Sequence, residues 1–411
     1  RFFMQKTKLR AYAKLIAQKG ANVQKGQVVW ITAALDQPEF VEMLVKECYA
    51  LGAKRVTVDW QHLPLTVLDS KNISLKELSA VEEWQKQKMQ YQTDNLPVRI
   101  YLDSDDPNGL DKADQEKMAK ARMAQYPIKK PYIDAIENKY QWCIASVPSK
   151  AWAKKVFPNE KTAKAVEKLW EAILTTSRAE GDPIANWTQH NSVLHNKCKI
   201  LNSLNLRSIH YTSAQGTDLT VELLPQADFL AGSETTLGKN IEFNPNIPSE
   251  EVFTTPKAGA AEGIVYSTKP LSYQGVLIEN FSFEFKNGKV VKVHAQKNQA
   301  QLEQMVAMDE GAKMLGECAL VPQDSPIAES NILFYNTLFD ENASCHLALG
   351  RGFSNCIKDY EKYSQDDFDK MGVNNSMIHV DFMIGSDSLD IVGTTADGKQ
   401  VQIFKNGRWA I

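Results

Sequence analysis

Near the C-terminus, the segment "IHVDFM" alternates residues that can bind a metal ion with apolar residues. In a β-strand, side chains two positions apart point to the same side of the sheet, so we expect His379 and Asp381 to share one face. Ile378, Val380 and Phe382 then occupy the other face and anchor the strand in a core. A neutral imidazole beside a carboxylate is a suitable ligand pair for zinc, manganese or cobalt.

Four further side chains in the C-terminal half have the same chemical character. They are Glu251 in "IPSEEVFTTP", Glu317 in "KMLGECALVP", Glu341 in "LFDENASCHLALG" and His346, which follows Glu341 by five residues. We expect Glu317 to lie between a helix that ends at Gly316 and an apolar strand. Each of these residues, taken alone, is most simply a structural histidine or a solvated carboxylate. Together with His379 and Asp381 they form a ligand set typical of a two-metal hydrolytic site.

Other chemistries have little support in the sequence. The six cysteines are scattered without a C-x-x-C pair, which argues against a zinc ribbon, a dithiol redox motif or a small disulfide scaffold. Cys345 directly precedes His346, and neighbours in a strand point to opposite faces, so a thiol nucleophile paired with this histidine is not favoured. The absence of G-x-S-x-G, G-x-G-x-x-G and G-x-x-x-x-G-K-[ST] motifs argues against a serine hydrolase or an organic nucleotide cofactor.

The composition is typical of a globular protein with room for two cores. The chain has 411 residues and a formal net charge of -3, with no basic surface suited to nucleic acid and no polybasic membrane anchor. No apolar run approaches the roughly 20 residues that span a bilayer. The N-terminal segment "RFFMQKTKLRAYAKLIAQKG" predicts an amphipathic helix and lacks the apolar core of a signal peptide. We therefore expect a cytoplasmic protein with reduced thiols and neither nucleic-acid nor membrane partners.

Strand-like and helical segments alternate in the first half of the chain. The strand-like segments are "QVVWITA", "RVTVDW", "PVRIYLD" and "QWCIAS". Helical segments include "SLKELSAVEEWQKQKMQYQ" and "PEFVEMLVKECYALG". The second places one apolar stripe on its helix, formed by Phe40, Met43, Leu44, Cys48 and Leu51. This alternation predicts an α/β N-terminal domain, residues 1–205, with a mostly parallel sheet flanked by helices.

The pattern changes from about Arg207 onward. Short segments with period-2 alternation are separated by tight-turn sequences such as "KNG" and "ADG", and two helices are predicted around 297–314 and 364–371. The second domain, residues 206–411, is therefore predicted to be a strand-rich α+β domain. Because it contains all six candidate ligands, we expect it to be the metal-binding catalytic domain.

The segments "NPNIPSEEVFTTP", "LGECALVP", "DENASCHLALG", "HVDFMIGS" and "ADGKQVQIFKNGRWA" closely resemble the metallo-aminopeptidase family of thermophilic aminopeptidase T, aminopeptidase S and PepS. The N-terminal "AKLIAQKGANVQKGQVVWITAALDQPEF" and "GTDLTVEL" are similar as well, so the resemblance covers essentially the whole chain. It implies that the metal ligands are Glu251, Glu317, His346, His379 and Asp381. The glutamate of D-E-N-A, Glu341, belongs to the same constellation.

The chain departs from this family pattern at one position. Where the resemblance implies a tyrosine shortly after H-L-A-L-G, this chain has Phe353 in "GRGFSNC". A phenol can ligate a metal ion or stabilise a developing oxyanion, whereas a phenyl ring can do neither. A catalytic tyrosine would have to come from Tyr360 or Tyr363, while the ligand set itself is unaffected.

The residues and the resemblance together predict a metal-dependent aminopeptidase that acts on peptides with a free N-terminus. Two divalent ions (zinc, cobalt, manganese or, less well, magnesium) are expected, one polarising the scissile carbonyl while the pair lowers the pKa of a bridging water. Glu341 is a candidate proton shuttle to the leaving amine. The resemblance also implies a homodimer. Two other functions remain open: a different metal-dependent amide hydrolase, and a non-catalytic α/β binding protein in which these residues are structural.

Overall fold

The computed structural model describes the backbone of residues 2–411 and the side chains of residues 6–411. The chain forms two compact units, each described by itself. The first comprises residues up to Asn191 together with Gly232–Ser249, and the second comprises Ser192–Ala231 together with Glu250–Ile411. The domain boundary expected after residue 205 stays a prediction.

Helices dominate the first half of the chain and strands dominate the second. The helices are α1 (Phe2–Leu15), α2 (Pro38–Ala50), α3 (Leu63–Asn72), α4 (Leu75–Ser79), α5 (Glu83–Asn95), α6 (Gln115–Ile136), α7 (Lys150–Val156), α8 (Thr162–Thr176), α9 (Pro183–Ser203), α10 (Gln299–Val306), α11 (Pro326–Glu329), α12 (Thr337–Glu341) and α13 (Gln365–Met371). The strands are β1 (Val28–Ala34), β2 (Arg55–Gln61), β3 (Val98–Asp103), β4 (Trp142–Ser146), β5 (Leu206–Thr212), β6 (Asp218–Leu223), β7 (Leu230–Ala231), β8 (Glu234–Thr235), β9 (Glu242–Phe243), β10 (Val252–Thr254), β11 (Pro256–Tyr266), β12 (Leu271–Tyr273), β13 (Val276–Lys286), β14 (Lys289–Lys297), β15 (Leu315–Leu320), β16 (His346–Gly350), β17 (His379–Met383), β18 (Asp390–Thr395), β19 (Gln400–Lys405) and β20 (Arg408–Trp409). Among the residues that the structure describes, no helix combines the length and apolar character that a membrane span requires.

The first unit is built on a parallel sheet of strand order β2-β1-β3-β4, which confirms the α/β prediction. The predicted apolar stripe of α2 is buried at Phe40, Leu44 and Cys48, whereas Met43 and Leu51 are partly exposed. The Phe40 ring lies 5.5 Å from that of Tyr12 in α1 and 5.3 Å from that of Trp170 in α8. These ring contacts pack α1, α2 and α8 together through their buried apolar side chains.

The helix predicted across residues 74–92 is two helices, α4 and α5. Ala80 ends α4 in an extended conformation, and the side chains of Glu82 and Gln85 form a capping box that starts α5. Capping groups satisfy backbone N–H groups that an uninterrupted helix would not expose, so they favour a new helix start here.

The second unit contains two antiparallel sheets, as predicted for a strand-rich domain. The larger sheet has the strand order β12-β13-β11-β6-β5-β18-β19-β20, with β14 paired to β13. The smaller sheet has the order β17-β16-β15-β10-β7. The two predicted helices correspond to α10, followed by a short 3₁₀ turn at Gly311–Lys313, and to α13. Helix α12 was not predicted.

The two faces of the smaller sheet differ in chemistry. Opposite residues in antiparallel strands lie on the same face, so the pairs Glu317 with Ala348 and Ala348 with Asp381 form one row across β15, β16 and β17. His346, paired with Ala319, lies on this polar face as well. The other face consists of buried apolar residues, namely Cys318, Leu320, Leu347, Leu349, Val380 and Phe382.

The expectation that a helix ends at Gly316 was wrong. Gly316 lies inside β15, next to an irregularity in its pairing with β16. A Cβ atom at Gly316 would lie 2.2 Å from the carbonyl oxygen of Gly350, so glycine is required by the close approach of two backbones. This contact fixes the strand immediately before Glu317.

All six cysteines are free and buried, and we expect their thiols to be unreactive in the folded protein. Burial raises the pKa of Cys48, Cys198, Cys318 and Cys345 to about 12, which suppresses the nucleophilic thiolate. A chromogenic disulfide reagent should therefore titrate less than one thiol per native chain, and six after denaturation with guanidinium. Rapid reaction of one or more native thiols would contradict the burial of these residues.

Candidate metal centre

All six predicted ligands lie in the second unit, on or beside the smaller sheet. Glu317 lies in β15, His346 begins β16, and His379 and Asp381 lie in β17. Glu251 directly precedes β10, and Glu341 is the last residue of α12. The complete set is Glu251, Glu317, Glu341, His346, His379 and Asp381. The expectation that His379 and Asp381 share a face is correct, because His379 Nε2 lies 3.3 Å from Asp381 Oδ1.

Small residues make room for these side chains. Ala348 separates Glu317 from Asp381 in the row across the sheet, and Ala319 lies opposite His346. A methyl group at each position leaves space above the sheet for longer side chains to converge. The small side chains therefore alternate with the ligand side chains on this face of the sheet.

The ligand atoms of the six residues form three overlapping groups, in each of which the atoms lie within 4.8 Å of one another. The groups are Glu251 with Glu317 and His346, Glu317 with His379 and Asp381, and Glu341 with His346 and Asp381. The shortest approaches are 2.8 Å from His346 Nε2 to Glu251 Oε2 and 3.1 Å from His379 Nε2 to Glu317 Oε2. Glu317, His346 and Asp381 each belong to two groups, so the groups are contiguous.

Backbone carbonyls orient both imidazoles. His346 Nδ1 lies 3.1 Å from the carbonyl oxygen of Ser344, and His379 Nδ1 lies 2.7 Å from that of Arg351. A carbonyl oxygen only accepts hydrogen bonds, so each Nδ1 carries a proton, and in the neutral form of each ring the Nε2 lone pair is free to bind a metal. In both rings Nε2 is the atom that faces the carboxylates.

Helix α12 holds Glu341 through buried polar contacts. The Asp340 carboxylate accepts hydrogen bonds from the backbone N–H groups of Phe334 and Asn336, at 2.9 and 3.2 Å, which fixes the turn that enters the helix. Asn342, which is fully buried, accepts a 2.6 Å hydrogen bond from the backbone N–H of Glu250. Asn342 therefore ties the end of the helix that presents Glu341 to the segment that presents Glu251.

Burial and mutual repulsion shift the proton affinities of the cluster. Burial, followed by the charges of Asp381 and Glu251, raises the pKa of Glu317 to about 8, and burial with the charge of Asp381 raises the pKa of Glu341 well above its usual value. The pKa values of His346 and His379 are both raised. Burial alone would lower them, but the charges of the adjacent carboxylates have the larger effect. The pKa of Asp381 is lowered because the nearby His379 outweighs the effect of burial.

The donor atoms of the cluster suit a divalent cation. His346 Nε2 and Asp381 Oδ1 are buried and form no hydrogen bond with the described residues, although His346 Nε2 lies near Glu251. Four carboxylates and two imidazole nitrogens provide oxygen and nitrogen donors without a thiolate, as zinc, cobalt and manganese sites require. A bound cation would partner the two buried atoms and compensate the carboxylate charge, which buried sites otherwise tolerate poorly.

Phe353 packs beside the cluster. Its ring lies 4.9 Å from the imidazole of His379 and 5.1 Å from the ring of Phe253, measured between centroids. Tyr360 packs against an apolar cluster that contains Phe368, and the Tyr363 ring lies 6.1 Å from that of Phe368. Phe353 therefore supplies an apolar wall to His379 where the family resemblance implies a tyrosine.

Sequence reasoning did not find the groups that hold the ligands in place. The carbonyls of Ser344 and Arg351 belong to the backbone, so no residue type marks them. Asn342 could have been noticed, because a buried asparagine directly after a candidate ligand in "DENAS" often bonds to neighbouring backbone. Its partner near Glu251, however, is distant in sequence and only the fold brings it close.

Comparison with known proteins gives a consistent result over the whole chain. A family model described as thermophilic metalloprotease (M29) matches residues 5–409. Aminopeptidase AmpS of Bacillus subtilis is 42% identical over 405 residues, and aminopeptidase PepS of Streptococcus thermophilus is 39% identical over 409, with 98% or more of each chain covered. The solved structure of wild-type AmpT from Thermus thermophilus superposes with a TM-score of 0.88 at 35% identity, covering 99% of this chain and 100% of that chain.

Proposed function

The chain belongs to the M29 family of thermophilic metalloproteases and is a metal-dependent aminopeptidase, and we propose that two divalent ions held by six side chains carry this activity. The proposed ligands are Glu251, Glu317, Glu341, His346, His379 and Asp381. The proposed substrates are peptides with a free N-terminus, from which the enzyme releases the first residue. We further propose that residues 206–411 form the catalytic domain.

One observation carries the proposal of two ions. The ligand atoms fall into overlapping groups of three, and Glu317 belongs both to the group of Glu251 and His346 and to the group of His379 and Asp381. Paired ions in hydrolytic sites lie roughly 3.5–4 Å apart, so one carboxylate can contact both. Glu317, which is shared by two groups, would be such a ligand. A single ion would leave some of these buried donors without a partner.

The protein's own groups prepare the site for hydrolysis. When bound, the divalent ions supply Lewis acidity, which polarises the scissile carbonyl and makes a water molecule nucleophilic near neutral pH. The carbonyls of Ser344 and Arg351 hold the two imidazoles with Nε2 toward the carboxylates. The apolar ring of Phe353 lies 4.9 Å from the imidazole of His379 and adds no hydrogen-bonding group beside it.

Glu341 is the proposed proton shuttle. Glu341 is 8% exposed, and burial raises the pKa of its carboxyl well above the usual value. A buried carboxyl beside the proposed ions is placed to take a proton from the attacking water and deliver it to the leaving amine. Peptide-bond cleavage needs this transfer because an amide anion is a poor leaving group.

The experiment that tests this function is hydrolysis of a leucine chromogenic amide before and after treatment with a chelator. We expect the chelator to reduce turnover by about 100-fold or more, which corresponds to roughly 2.7 kcal/mol of lost transition-state stabilisation. Addition of zinc, cobalt or manganese to the dialysed protein should restore activity. The N-acetylated amide is the matched control substrate, and it should not be cleaved.

The alternative outcomes identify the alternative functions. Equal cleavage of the N-acetylated amide would indicate an endopeptidase or deacylase acting with the same ligand set. Absence of bound metal after reloading, with no hydrolysis, would indicate a binding protein in which the six residues are structural. Metal binding at a stoichiometry of one ion per chain would retain the aminopeptidase and contradict the two-ion site.

We also propose that the protein is a cytoplasmic homodimer. The cytoplasmic location is supported by six free, buried cysteines, which suit a reducing compartment. The homodimer is supported by resemblance to the family, and light scattering at several protein concentrations tests it. A mass of one chain, 46.1 kDa, at every concentration would contradict it.

A further inference from the structure

We infer that Asn374 positions His379 for metal binding, and that it acts through the backbone carbonyl of Arg351. This inference rests on the proposed function, because it concerns the geometry of one proposed ligand. Asn374 is 3% exposed, lies between α13 and β17, and is not one of the proposed ligands. It is therefore a positioning residue, with no contact to the reacting atoms.

Hydrogen bonds from Asn374 bracket Arg351 on both sides. The side-chain Nδ2 of Asn374 donates to the carbonyl oxygen of Gly350 at 2.6 Å, and the backbone carbonyl oxygen of Asn374 accepts from the backbone N–H of Gly352 at 2.8 Å. Between them, the carbonyl oxygen of Arg351 accepts from His379 Nδ1 at 2.7 Å. The direction of this carbonyl, and hence the direction of His379 Nε2, depends on the two peptide groups that Asn374 holds.

The same amide also reaches the segment that precedes Glu317. Asn374 Nδ2 donates to the carbonyl oxygens of Gly311 and Met314, at 2.8 and 3.1 Å. Met314 directly precedes β15, and its carbonyl also accepts from the backbone N–H of Gly350. One side chain thus connects the start of the strand that carries Glu317 to Gly350, which ends the strand that carries His346 and directly precedes Arg351, the residue whose carbonyl orients His379.

The chemistry of this position is specific to an amide. Three carbonyl oxygens face Nδ2, so a carboxylate here would place like partial charges together, and an apolar side chain would leave the carbonyls unsatisfied. Asn374 Oδ1 is buried and has no hydrogen-bond partner within the described part of the chain. A buried unsatisfied acceptor costs about 1–3 kcal/mol, so the residue is better explained by the geometry it imposes than by its contribution to stability.

The test is a titration of the metal-free Asn374→Ala protein with cobalt(II), followed by its visible absorption spectrum. Loss of a group that orients a metal-binding histidine typically weakens metal affinity by about 10- to 100-fold. We expect a loss in this range for one of the ions, a changed cobalt spectrum, and a lower kcat at saturating metal with little change in KM. The Asn374→Ser variant, which keeps one donor, should recover part of the affinity.

Asn244→Ala is the matched control. Asn244 is a buried asparagine of the first unit, and its amide donates to Asn191 Oδ1 at 2.9 Å. This variant should lose stability but keep the cobalt affinity and spectrum of the unmodified protein. The inference is overturned if the folded Asn374→Ala protein has a cobalt affinity within twofold of that of the unmodified protein and the same cobalt spectrum. If the alanine variant does not fold, the same criterion applies to Asn374→Ser. If the unmodified protein itself binds no cobalt, the proposed function fails first.

Discussion

Replacement of His379 by alanine is expected to reduce turnover of a leucine chromogenic amide by more than about 100-fold while the protein stays folded. Mutation of outer groups that only support a metal ligand already costs about 10- to 100-fold, so removal of a ligand should cost more. His379 Nε2 lies within 3.3 Å of carboxylate oxygens of both Glu317 and Asp381. Loss of the imidazole therefore removes one of the three donors of the group formed by Glu317, His379 and Asp381. Turnover should be measured at saturating substrate with a fixed excess of metal.

The fold should survive this substitution because His379 is not a packed core residue. Its side chain is 27% exposed, and the apolar anchors of β17 are Val380 and Phe382 on the other face. We expect the free energy of unfolding of the metal-free protein to change by about 1 kcal/mol or less, as is common outside the core. Circular dichroism and thermal unfolding provide this measurement.

The control for His379→Ala is His210→Ala. His210 also lies in a strand of the second unit, and its Nε2 lies 2.7 Å from Asp218 Oδ1, but it belongs to none of the three ligand groups. Turnover by His210→Ala should stay within about twofold of the unmodified protein. Normal turnover by His379→Ala would reject the assignment of His379 as a ligand.

The metal-free protein is expected to lose stability as the pH rises from 7 to 8. Burial raises the pKa of Glu317 to about 8 and that of Glu341 well above its usual value, so the folded state retains protons that the unfolded state has released. The raised pKa values of His346 and His379 act in the same direction. Because the folded state binds more protons in this range, its stability is greater at lower pH and declines as these protons dissociate.

The size of this effect follows from the number of retained protons. Each additional proton held by the folded state changes the free energy of unfolding by about 1.4 kcal/mol per pH unit. The lowered pKa of Asp381 adds nothing between pH 7 and 8, because this carboxylate is ionised in both states. Urea unfolding in the presence of a chelator at pH 7, 7.5 and 8 measures the slope.

Metal should reverse this pH dependence. Bound cations replace the retained protons, and metal binding strengthens as ligands deprotonate, so cobalt should stabilise the protein more at pH 8 than at pH 7.

The control for the metal-free pH dependence is the Glu317→Gln variant. Its neutral amide removes one titrating group, so the change in the free energy of unfolding with pH should be smaller. A metal-free protein whose stability increases from pH 7 to 8 would contradict the proton retention.

Local patterns in the sequence were sufficient for several features. Alternation in "IHVDFM" correctly predicted that His379 and Asp381 share one face, because the two-residue period of a strand is a local property. The apolar stripe of α2 was equally predictable from helical periodicity. Donor chemistry predicted a metal-binding character, and the succession of strands and helices predicted the two kinds of sheet.

Features that depend on contact between distant segments could not be predicted. Gly316 was expected to end a helix, yet it lies inside β15 because the backbone of Gly350 approaches it closely. The sequence likewise gave no indication that Asn374 would meet Gly311, Met314 and Gly350, or that Asn342 would meet Glu250. Such contacts arise from strand register and loop closure, which no local period encodes.

The sequence by itself determined which side chains of this protein can bind a metal and which strand face two of them occupy. Residue type sets donor chemistry, and the strand period sets the face. Only the tertiary structure decided that Glu251 and Asp381, about 130 residues apart, belong to one set of contiguous ligand groups, with the small residues Ala319 and Ala348 between the ligands on the sheet. The tertiary structure also supplied the carbonyls that orient the imidazoles, because a backbone group acquires a direction and a partner only when the surrounding chain is packed.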